Sequence, residues 1–472
     1  MVSFSGKLLI LGCGSVSKCV LSLLFQLMQI PPKNVTVISA QGFSPQLDEY
    51  KKMGVAFVQA TVTRENYKSL LSSYLSAGDF LLDLSVEIDT CSLFEWCFEN
   101  QVLFVNTATE VWAAARVPVY AEARQQTLYQ RYLRLWKTVA RLGLNGPTAI
   151  LEHGANPGLV SHFVKKALLD LAEKTVLQET SPQRKGALQE AVRTRNFARL
   201  AMILGVRAIH IAERDTQQSA VPRQANEFVN TWSCEGFVEE AIAPAEIGWG
   251  THEKKLPHGA GTHPVGPQHQ IFLEKPGFKT LVKSWVPSGE IEGMVIRHGE
   301  AASLCSHLSV FDGLDLLYRP TVHYAYAAIP DAIASLHEVE ACKWKMLDRQ
   351  RILADEISSG ADELGCLILG DGFQPFWIGS ILDIEEARKL APHQNATTLQ
   401  VAVSVVASMC YAVEHPRLGF CLPDNIDHEY ILSIATPYLG KFVTVPSDWS
   451  GVKENPTLQF TDFLAAAETA KP

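Results

Sequence analysis

The feature that constrains this chain most is an apolar run that leads directly into a glycine turn. Residues 8–11 read Leu-Leu-Ile-Leu, the segment Gly12-Cys13-Gly14-Ser15-Val16-Ser17 follows, and an apolar stretch with helical spacing comes next. A strand, a glycine turn and a helix in this order let backbone N–H groups approach a pyrophosphate at a helix N-terminus. The pattern predicts dinucleotide contacts at Gly12, Gly14, Ser15 and Val16, although a tight structural turn alone would also explain both glycines.

Strands and helices alternate after this turn. Helices are predicted at 64–75 and 92–100, between strands at 35–39, 55–59, 80–84 and 102–106. This alternation is typical of a doubly wound parallel sheet with helices on both faces. We therefore predict an α/β protein whose residues 1–150 form an NAD-binding, Rossmann-type domain.

The regular alternation stops after that domain. Strands predicted at 208–213 and 293–300, around a Gly/Pro/His-rich passage, indicate a second, α+β substrate domain over residues 151–390. Residues 391–472 are predicted as a helical C-terminal segment that packs back on the first domain.

The most apolar long stretch lies in this C-terminal segment, at 397–413. Gln400, Ser404 and Ser408 interrupt it, so it falls short of a clean membrane span. We interpret it as a buried helix and expect no membrane partner.

Composition narrows the classes of partner. The chain has 41 Lys plus Arg against 50 Asp plus Glu, a net charge of −9, which disfavours a nucleic-acid partner and favours a cationic ligand. Ten cysteines are scattered without a C-x-x-C, and the amino terminus enters the fold without a secretory signal, so we expect a cytoplasmic location. No metal is predicted, because the histidines of the Gly/Pro-rich passage lack a compact ligand spacing: His252, His258, His263 and His269.

Ligands of such sheets bind beyond the carboxyl ends of the strands. The second strand ends at Ser39, with neither an acid for the adenosine ribose nor an arginine for a 2′-phosphate, which favours NAD over NADP. The next two strands end in Asp83-Leu84-Ser85 and Asn106-Thr107-Ala108. The residues expected to contact NAD at these ends are Ser39, Ser85, Asn106, Thr107 and Ala108.

Some acids continue the apolar faces of predicted strands. Side chains alternate with period two along a strand, so residues of equal parity share a face. These shared faces are Met294, Ile296, His298 and Glu300 in one strand, and Ile209, Ile211 and Glu213 in another. A carboxylate on such an apolar face either reaches water at the end of the strand or is a buried charge that requires a cation as its partner.

Three further positions admit both a functional and a structural interpretation. Trp232 lies shortly before Glu240, and an indole face near a carboxylate suits an alkylammonium ligand, whereas a core tryptophan beside a solvated turn is equally compatible. Glu110 follows a strand end, either near a nicotinamide or in the first turn of a helix. Asn156 precedes Pro157, as a helix cap does.

Taken together, these segments resemble the bacterial homospermidine synthases, a family within the saccharopine dehydrogenase-like proteins. The motifs NTATEVW, EHGANPGLVSHF, IHIAERDTQ, NTWSCEGF, GWGTHEK, HGEAASL and DELG occur in the family's order over essentially the full length. The resemblance implies NAD-dependent conversion of two putrescine molecules, or of spermidine plus putrescine, into homospermidine with release of ammonia or 1,3-diaminopropane. It also implies a homodimer. The chain departs from the family at Ser17 and Ser39, where glycine and an acid are usual.

Carried over residue by residue, the resemblance also implies the roles of the site residues. Glu213 and His298 would handle protons, and Trp232 and Glu240 would complete the catalytic group by guiding and holding the cation. The substrate-binding residues would be Glu110, Asn156, Glu300 and Asp362. Mainly acidic positions suit a diamine, because each charge-assisted hydrogen bond to an ammonium contributes roughly 1.5 to 3 kcal/mol.

Two other functions stay open at this point. A saccharopine- or carboxynorspermidine-type dehydrogenase would share the fold, but its carboxylate substrates require arginine or lysine in the site. A non-enzymatic NAD-sensing protein would bind the cofactor and make no product.

Overall fold

The computed structural model describes residues 1–118, 121–449 and 457–465. Up to residue 150 the elements alternate as predicted from the sequence. In chain order they are β1 (Val2–Ser3), β2 (Leu8–Leu11), α1 (Ser15–Leu27), β3 (Met28–Gln29), β4 (Val35–Ser39), α2 (Asp48–Met53), β5 (Ala56–Gln59), α3 (Tyr67–Tyr74), β6 (Phe80–Asp83), α4 (Thr90–Asn100), β7 (Leu103–Asn106), α5 (Leu128–Leu142) and β8 (Ala149–Ile150).

Helices and strands no longer alternate regularly in the rest of the chain. They are α6 (Leu159–Gln178), α7 (Pro182–Arg193), α8 (Phe197–Leu204), β9 (Val206–Asp215), β10 (Gln218–Ser219), β11 (Glu227–Asn230), α9 (Cys234–Ile242), β12 (Pro244–Gly248), β13 (Ala260–Thr262), β14 (Gln270–Pro276), β15 (Leu281–Val286), β16 (Gly289–Met294), α10 (Glu300–His307), β17 (Val310–Asp312), β18 (Asp315–Tyr318), β19 (Thr321–Ala327), α11 (Pro330–Ala341), β20 (Arg349–Ile352), β21 (Ile357–Ser359), β22 (Ala361–Gly370), β23 (Phe376–Asp383), α12 (Ile384–Leu390), α13 (Ala396–Glu414), β24 (Phe420–Cys421), α14 (His428–Ala435), β25 (Lys441–Pro446) and α15 (Phe460–Phe463).

A seven-stranded parallel sheet organises the N-terminal part. Its strands lie in the order β24-β8-β7-β6-β2-β4-β5, so the chain winds outwards in both directions from the pair β2 and β6. Such a reversal of strand order opens a crevice at the carboxyl ends of the central strands. The predicted Rossmann-type α/β fold is confirmed, and its ligand edge lies beside the glycine turn.

The opening apolar run is buried on both faces of this sheet. Leu8 and Ile10 belong to one core, which they share with α1 and α13, whereas Leu9 and Leu11 belong to another, which they share with α4. A strand with helices packed on both sides has no solvent face. This is why the run is continuously apolar instead of alternating.

A ten-stranded mixed sheet forms the second part. Its main path is β13-β14-β12-β19-β9-β22-β23-β25, and the hairpin β15–β16 joins it at β19. The central strand β9 pairs parallel with β19 and antiparallel with β22. These three neighbouring strands bring together most of the polar side chains described below.

The C-terminal segment returns to both sheets. Helix α13 packs against α1, while β24 extends the first sheet and β25 the second, so the segment carries strands besides the predicted helices. Among the described residues, α13 is the one helix long and apolar enough to cross a bilayer, and nearly all of it is buried in the fold. Residues 450–456 and 466–472 of this segment lie outside the described residues.

The strand predicted at 293–300 is wrong. Strand β16 ends at Met294, and helix α10 begins at Glu300, so His298 and Glu300 do not share a strand face. Ala301 and Ala302 are strong helix formers that carry the chain into α10. Period-two alternation alone could not reveal where the strand ends.

The glycine turn gives a stability prediction. Gly12 has φ +91°, and a Cβ there would lie 2.5 Å from the carbonyl oxygen of Leu84. Backbone strain and this clash add, so Gly12→Ala is expected to lower the free energy of unfolding by about 2 kcal/mol or more. Gly14→Ala is the control, because φ is −77° there and a Cβ would meet no heavy atom within 4 Å.

Urea unfolding followed by circular dichroism measures both variants. Gly14→Ala should change the free energy of unfolding by less than about 0.5 kcal/mol. Equal losses in the two variants would contradict the structural account of the turn.

Candidate active site

The turn between β2 and α1 has room for a phosphate group. Gly14 caps α1 without a side-chain hydrogen bond, and the space where its Cβ would lie is open. Ser17, which replaces a third glycine, is buried, and its hydroxyl donates a hydrogen bond to the carbonyl oxygen of Gly12 at 2.6 Å. Ser17 therefore closes the turn from the inside and leaves the Gly14 side clear for a pyrophosphate.

Two other predicted cofactor residues lie at the same edge of the sheet. Ser39 ends β4, and its hydroxyl oxygen accepts a hydrogen bond from the N–H of Gln41 at 3.2 Å. Ser85 donates its hydroxyl to Oδ1 of Asp83 at 2.5 Å. Burial raises the pKa of Asp83 to about 7, although the hydrogen bonds from Ser85 oppose the shift.

Asn106 is engaged inside the fold. Its Nδ2 donates to the carbonyl oxygen of Ala108 at 2.8 Å, and its Oδ1 accepts from the N–H of Glu152 at 2.9 Å. Thr107 is half-buried and Ala108 is exposed. All three predicted contacts therefore lie at the ligand edge, where Thr107 and Ala108 are the accessible ones.

Glu213 lies near the end of β9 among buried partners. Its Oε2 accepts hydrogen bonds from Nδ2 of Asn156 at 2.5 Å and from the hydroxyl of Tyr324. Burial nevertheless raises the pKa of Glu213 to about 7, because desolvation outweighs these bonds. Asn156 is not a helix cap, since α6 begins at Leu159 with Gly158 as its cap residue.

Two more carboxylates lie beside Glu213. Asp215 is two residues further along β9, and Asp362 is its cross-strand partner on β22. The hydroxyl of Thr397 donates to Oδ2 of Asp362 at 2.7 Å, whereas Oδ1 has no hydrogen-bond partner among the described residues. Burial, followed by the charges of Glu213 and Asp215, raises the pKa of Asp362 well above its usual range.

His298 and Glu300 form an ion pair next to this group. Nδ1 of His298 lies 2.5 Å from Oε2 of Glu300, although the contact is not aligned as a hydrogen bond. Burial alone would lower the pKa of His298, but the charges of Glu300 and then Glu240 outweigh it and raise the pKa to about 9. His298 therefore carries a proton at neutral pH.

An aromatic wall borders the carboxylates. Tyr324 and Tyr326 of β19 stack with ring centroids 5.4 Å apart, and Nε1 of Trp232 donates to the hydroxyl of Tyr326 at 3.1 Å. Tyr326 is the register partner of Glu213 across the β9–β19 pair. The sequence analysis missed both tyrosines, and the alternation in TVHYAYA was the pattern that could have found them.

Arginines form a further group that the sequence analysis missed. Glu239 pairs with Arg297 at 2.5 Å, with Arg116 at 3.1 Å and with Arg131. Burial would raise the pKa of Glu239, but the three guanidinium groups lower it to about 2. The expectation of mainly acidic inward positions is therefore incomplete, because three cations converge on one carboxylate, with Glu87 and Glu110 as further acids beside Arg116.

Glu110 and Glu240 adjoin the arginine group. Glu110 lies 3.5 Å from Arg116, and its pKa is raised by burial and then by the charge of Glu239. Burial raises the pKa of the partly buried Glu240 to about 7, against the charges of His298 and others. The structure thus places all eight predicted catalytic and substrate-binding side chains in described parts of the fold, and their roles stay predictions.

A Rossmann-type sheet joined to a mixed sheet that carries buried carboxylates and a histidine defines a dinucleotide-binding enzyme. The saccharopine dehydrogenase NADP binding domain matches residues 8–150, and the saccharopine dehydrogenase C-terminal domain matches residues 154–445. The homospermidine synthase of Blastochloris viridis is 39% identical over 467 residues, which cover 96% of this chain and 94% of that protein. The chain therefore belongs to the homospermidine synthases, within the saccharopine dehydrogenase-like family.

Further relatives agree with this assignment. The homospermidine synthase of Mesorhizobium japonicum is 36% identical over 461 residues, covering 96% of this chain and 93% of that protein. The crystal structure of homospermidine synthase from Legionella pneumophila in complex with NAD superposes with a TM-score of 0.87 at 38% identity, covering 98% of both chains. Saccharopine dehydrogenase from Saccharomyces cerevisiae, at 11% identity and a TM-score of 0.52, shares the fold, covering 93% of this chain and all of that one.

The buried carboxylates give a second stability prediction. The pKa of Asp362 is higher in the folded than in the unfolded chain, so the folded state favours the protonated carboxyl group. Its contribution to the free energy of unfolding is therefore complete below the unfolded pKa and is lost as pH rises through the folded pKa. Asp362→Asn is expected to raise the free energy of unfolding at pH 8, on the order of 1–3 kcal/mol, and by less at pH 5.

Urea unfolding at the two pH values measures this difference. Asp371→Asn serves as the control, because Asp371 is an exposed acid paired with Arg207 at the surface. A destabilised Asp362→Asn variant at pH 8 would contradict the proposed charge burial.

Proposed function

We propose that this chain binds NAD and converts two putrescine molecules into homospermidine and ammonia, with spermidine plus putrescine as the other substrate pair, which releases 1,3-diaminopropane. The observation that carries the proposal is the group of buried carboxylates beside an aromatic wall. Glu213, Asp215 and Asp362 bring negative charge to a site with aromatic faces, and such a site fits an aliphatic diammonium chain.

The cofactor site fits NAD. The open space at Gly14 and the accessible strand-end residues Thr107 and Ala108 would receive the pyrophosphate and the nicotinamide half, and Ser39 would contact the ribose. Although the matching domain is described as NADP binding, Ser39 offers no positive charge to a 2′-phosphate. When bound, NAD would accept a hydride from the amine carbon of one putrescine and return it to a later imine. That later imine forms when water releases ammonia from the oxidised amine and the resulting aldehyde condenses, with loss of water, with a second putrescine.

Proton handling is the proposed task of Glu213 and His298. A hydride leaves only from carbon that bears a neutral amine, and lowering an alkylamine pKa from about 10.4 to about 7 costs roughly 4.6 kcal/mol. Glu213, with its pKa near 7, would take that proton. His298, protonated at neutral pH, would supply one to the departing ammonia.

The remaining acids would hold the ammonium groups at either end of the substrate. We assign this role to Glu110, Glu240, Glu300 and Asp362, with Asn156 orienting Glu213 through its 2.5 Å hydrogen bond. Trp232 would guide the cation with its ring face. All three arginines pair with Glu239, and Arg116 also lies beside Glu87 and Glu110, so acids of the chain itself engage them. The preference for a diamine over a carboxylate substrate therefore rests on Glu213, Asp215 and Asp362.

We also propose a homodimer, which the family resemblance implies, and a cytoplasmic location, which agrees with the scattered cysteines of the chain. Residues 1–150 would act as the NAD-binding unit, 151–390 as the substrate unit and 391–472 as the helical segment that packs back on the first unit. Sedimentation velocity tests the dimer, and a monomer at micromolar concentration would contradict it.

Product analysis tests the proposed reaction directly. The chain incubated with putrescine and a small amount of NAD⁺ should form homospermidine in excess over the nucleotide, because the hydride is returned in each cycle. Glu213→Gln should lose at least about 100-fold in kcat, whereas Trp232→Phe should keep activity within about tenfold, since an aromatic face remains.

Chromatography of the amines and absorbance at the NADH band give both readouts, and Trp285→Phe, in the hairpin β15–β16, is the matched control for the tryptophan variant. NADH that accumulates in proportion to product would indicate an ordinary dehydrogenase instead. Undiminished rates in both site variants would remove the assignment of these residues.

The rate should depend on pH through two groups. Glu213 must be deprotonated and His298 protonated, so kcat/KM is expected to rise with pH through about 7 and to fall above about 9. In the residual activity of Glu213→Gln, kcat/KM should no longer rise with pH through about 7. Steady-state rates from pH 5 to 10 measure the profile, and an acidic limb that survives in Glu213→Gln would assign the base elsewhere.

A further inference from the structure

A cavity of about 280 Å³ lies apart from the carboxylates described above. Its lining includes two aromatic rings of α5, two hydroxyl side chains of α10 and one acid that follows β24: Tyr132, Trp136, Ser303, Ser306 and Asp424. Because roughly 10–15 Å³ of such space already holds one water molecule, this cavity has room for a short aliphatic amine.

Asp424 is the acid in this lining, and it is 4% exposed. Among the described residues, neither carboxyl oxygen has a hydrogen-bond partner. His307, which also lines the cavity, and Lys165 interact with the charge of Asp424 at a longer range than an ion pair. The nearby ammonium group of Lys165 is directed at the backbone, where it donates to the carbonyl oxygens of Pro423 at 3.3 Å and Ile426 at 2.7 Å. Asp424 is therefore a buried carboxylate without a direct partner, and a cation bound in the cavity would supply one.

The aromatic rings indicate which kind of cation fits. Tyr132 and Trp136 lie nearly parallel, with ring centroids 5.7 Å apart and an interplanar angle of 15°. A single carboxylate beside aromatic faces and hydroxyl acceptors suits an ammonium group, whereas Ca²⁺ or Mg²⁺ requires several oxygen ligands.

We propose that this cavity binds a protonated primary amine through Asp424, separately from the catalytic site. The choice of aliphatic amines as ligands rests on the proposed function, but the cation preference rests on the cavity alone. A chain of contacts links the cavity to the catalytic group, because the hydroxyl of Tyr132 donates to Glu152. Oε2 of Glu152 in turn lies 2.6 Å from the position of a Cβ on Gly299, between His298 and Glu300.

Calorimetric titration tests the site in the full chain saturated with NAD⁺ and carrying Glu213→Gln to prevent turnover. Putrescine and ammonium chloride are titrated separately, with sodium chloride holding the ionic strength constant. We expect a cavity event in addition to binding at the catalytic site, and Asp424→Asn should weaken the cavity event at least about tenfold, as loss of a charge-assisted bond does. Asp371→Asn, the exposed control of equal charge change, should leave it intact.

Ser303→Leu provides an independent variant, because it fills the cavity and keeps the carboxylate. Loss of the cavity event in both Asp424→Asn and Ser303→Leu, with binding at the catalytic site retained, supports the site, and the probe that shows the cavity event identifies the source as free ammonium or an alkyl diamine. A titration that is unchanged in both variants, for either probe, overturns the proposal. If the unmutated chain makes no homospermidine while Asp424→Asn still abolishes the event, the proposed function fails and the cavity assignment stands.

Discussion

The arrangement of the site depends on three buried acids that lie on two adjacent antiparallel strands. Because β9 and β22 pair in register, Asp362 faces Asp215, and Glu213 lies two residues away on the same face. Hydroxyl groups satisfy part of this charge, since Thr231 donates to Asp215 at 2.6 Å and Thr397 to Asp362 at 2.7 Å. The remaining cost of burial raises all three pKa values, so the site gains most from a ligand that brings positive charge.

Helix α13 connects this charge to the cofactor turn. Its Thr397 bonds Asp362, while its body packs against α1, the helix that begins at the glycine turn. The two halves of the proposed reaction, hydride transfer and amine binding, therefore depend on one buried helix. This explains why an apolar stretch as long as a membrane span is interrupted by polar residues: Ser404, for example, contacts Nδ1 of His153 at 2.9 Å inside the fold.

Short sequence patterns were sufficient to predict those features of the fold that depend on neighbouring residues. The glycine turn and the alternation after it were sufficient for the Rossmann-type sheet, and period two along AIHIAERD placed Glu213 on its buried face. The same rule failed for His298 and Glu300, because a strand end and a helix start are set by backbone context. Arg297 and Glu239 are 58 positions apart, so their ion pair could not be predicted from spacing. Asp362 could be predicted only from the family motif DELG, since no local sequence pattern distinguishes it from other acids.

The account's central claim is that uncompensated buried carboxylates bind the diamine. A cation that arrives beside them lowers their pKa values, so binding must release protons near pH 7. The direct measurement is proton release when putrescine is mixed with the NAD-free chain in weak buffer containing a pH indicator. We expect release at pH 6.5 to 7 that is reduced in Glu213→Gln. Proton uptake, or putrescine binding with no proton exchange in that range, would contradict the claim.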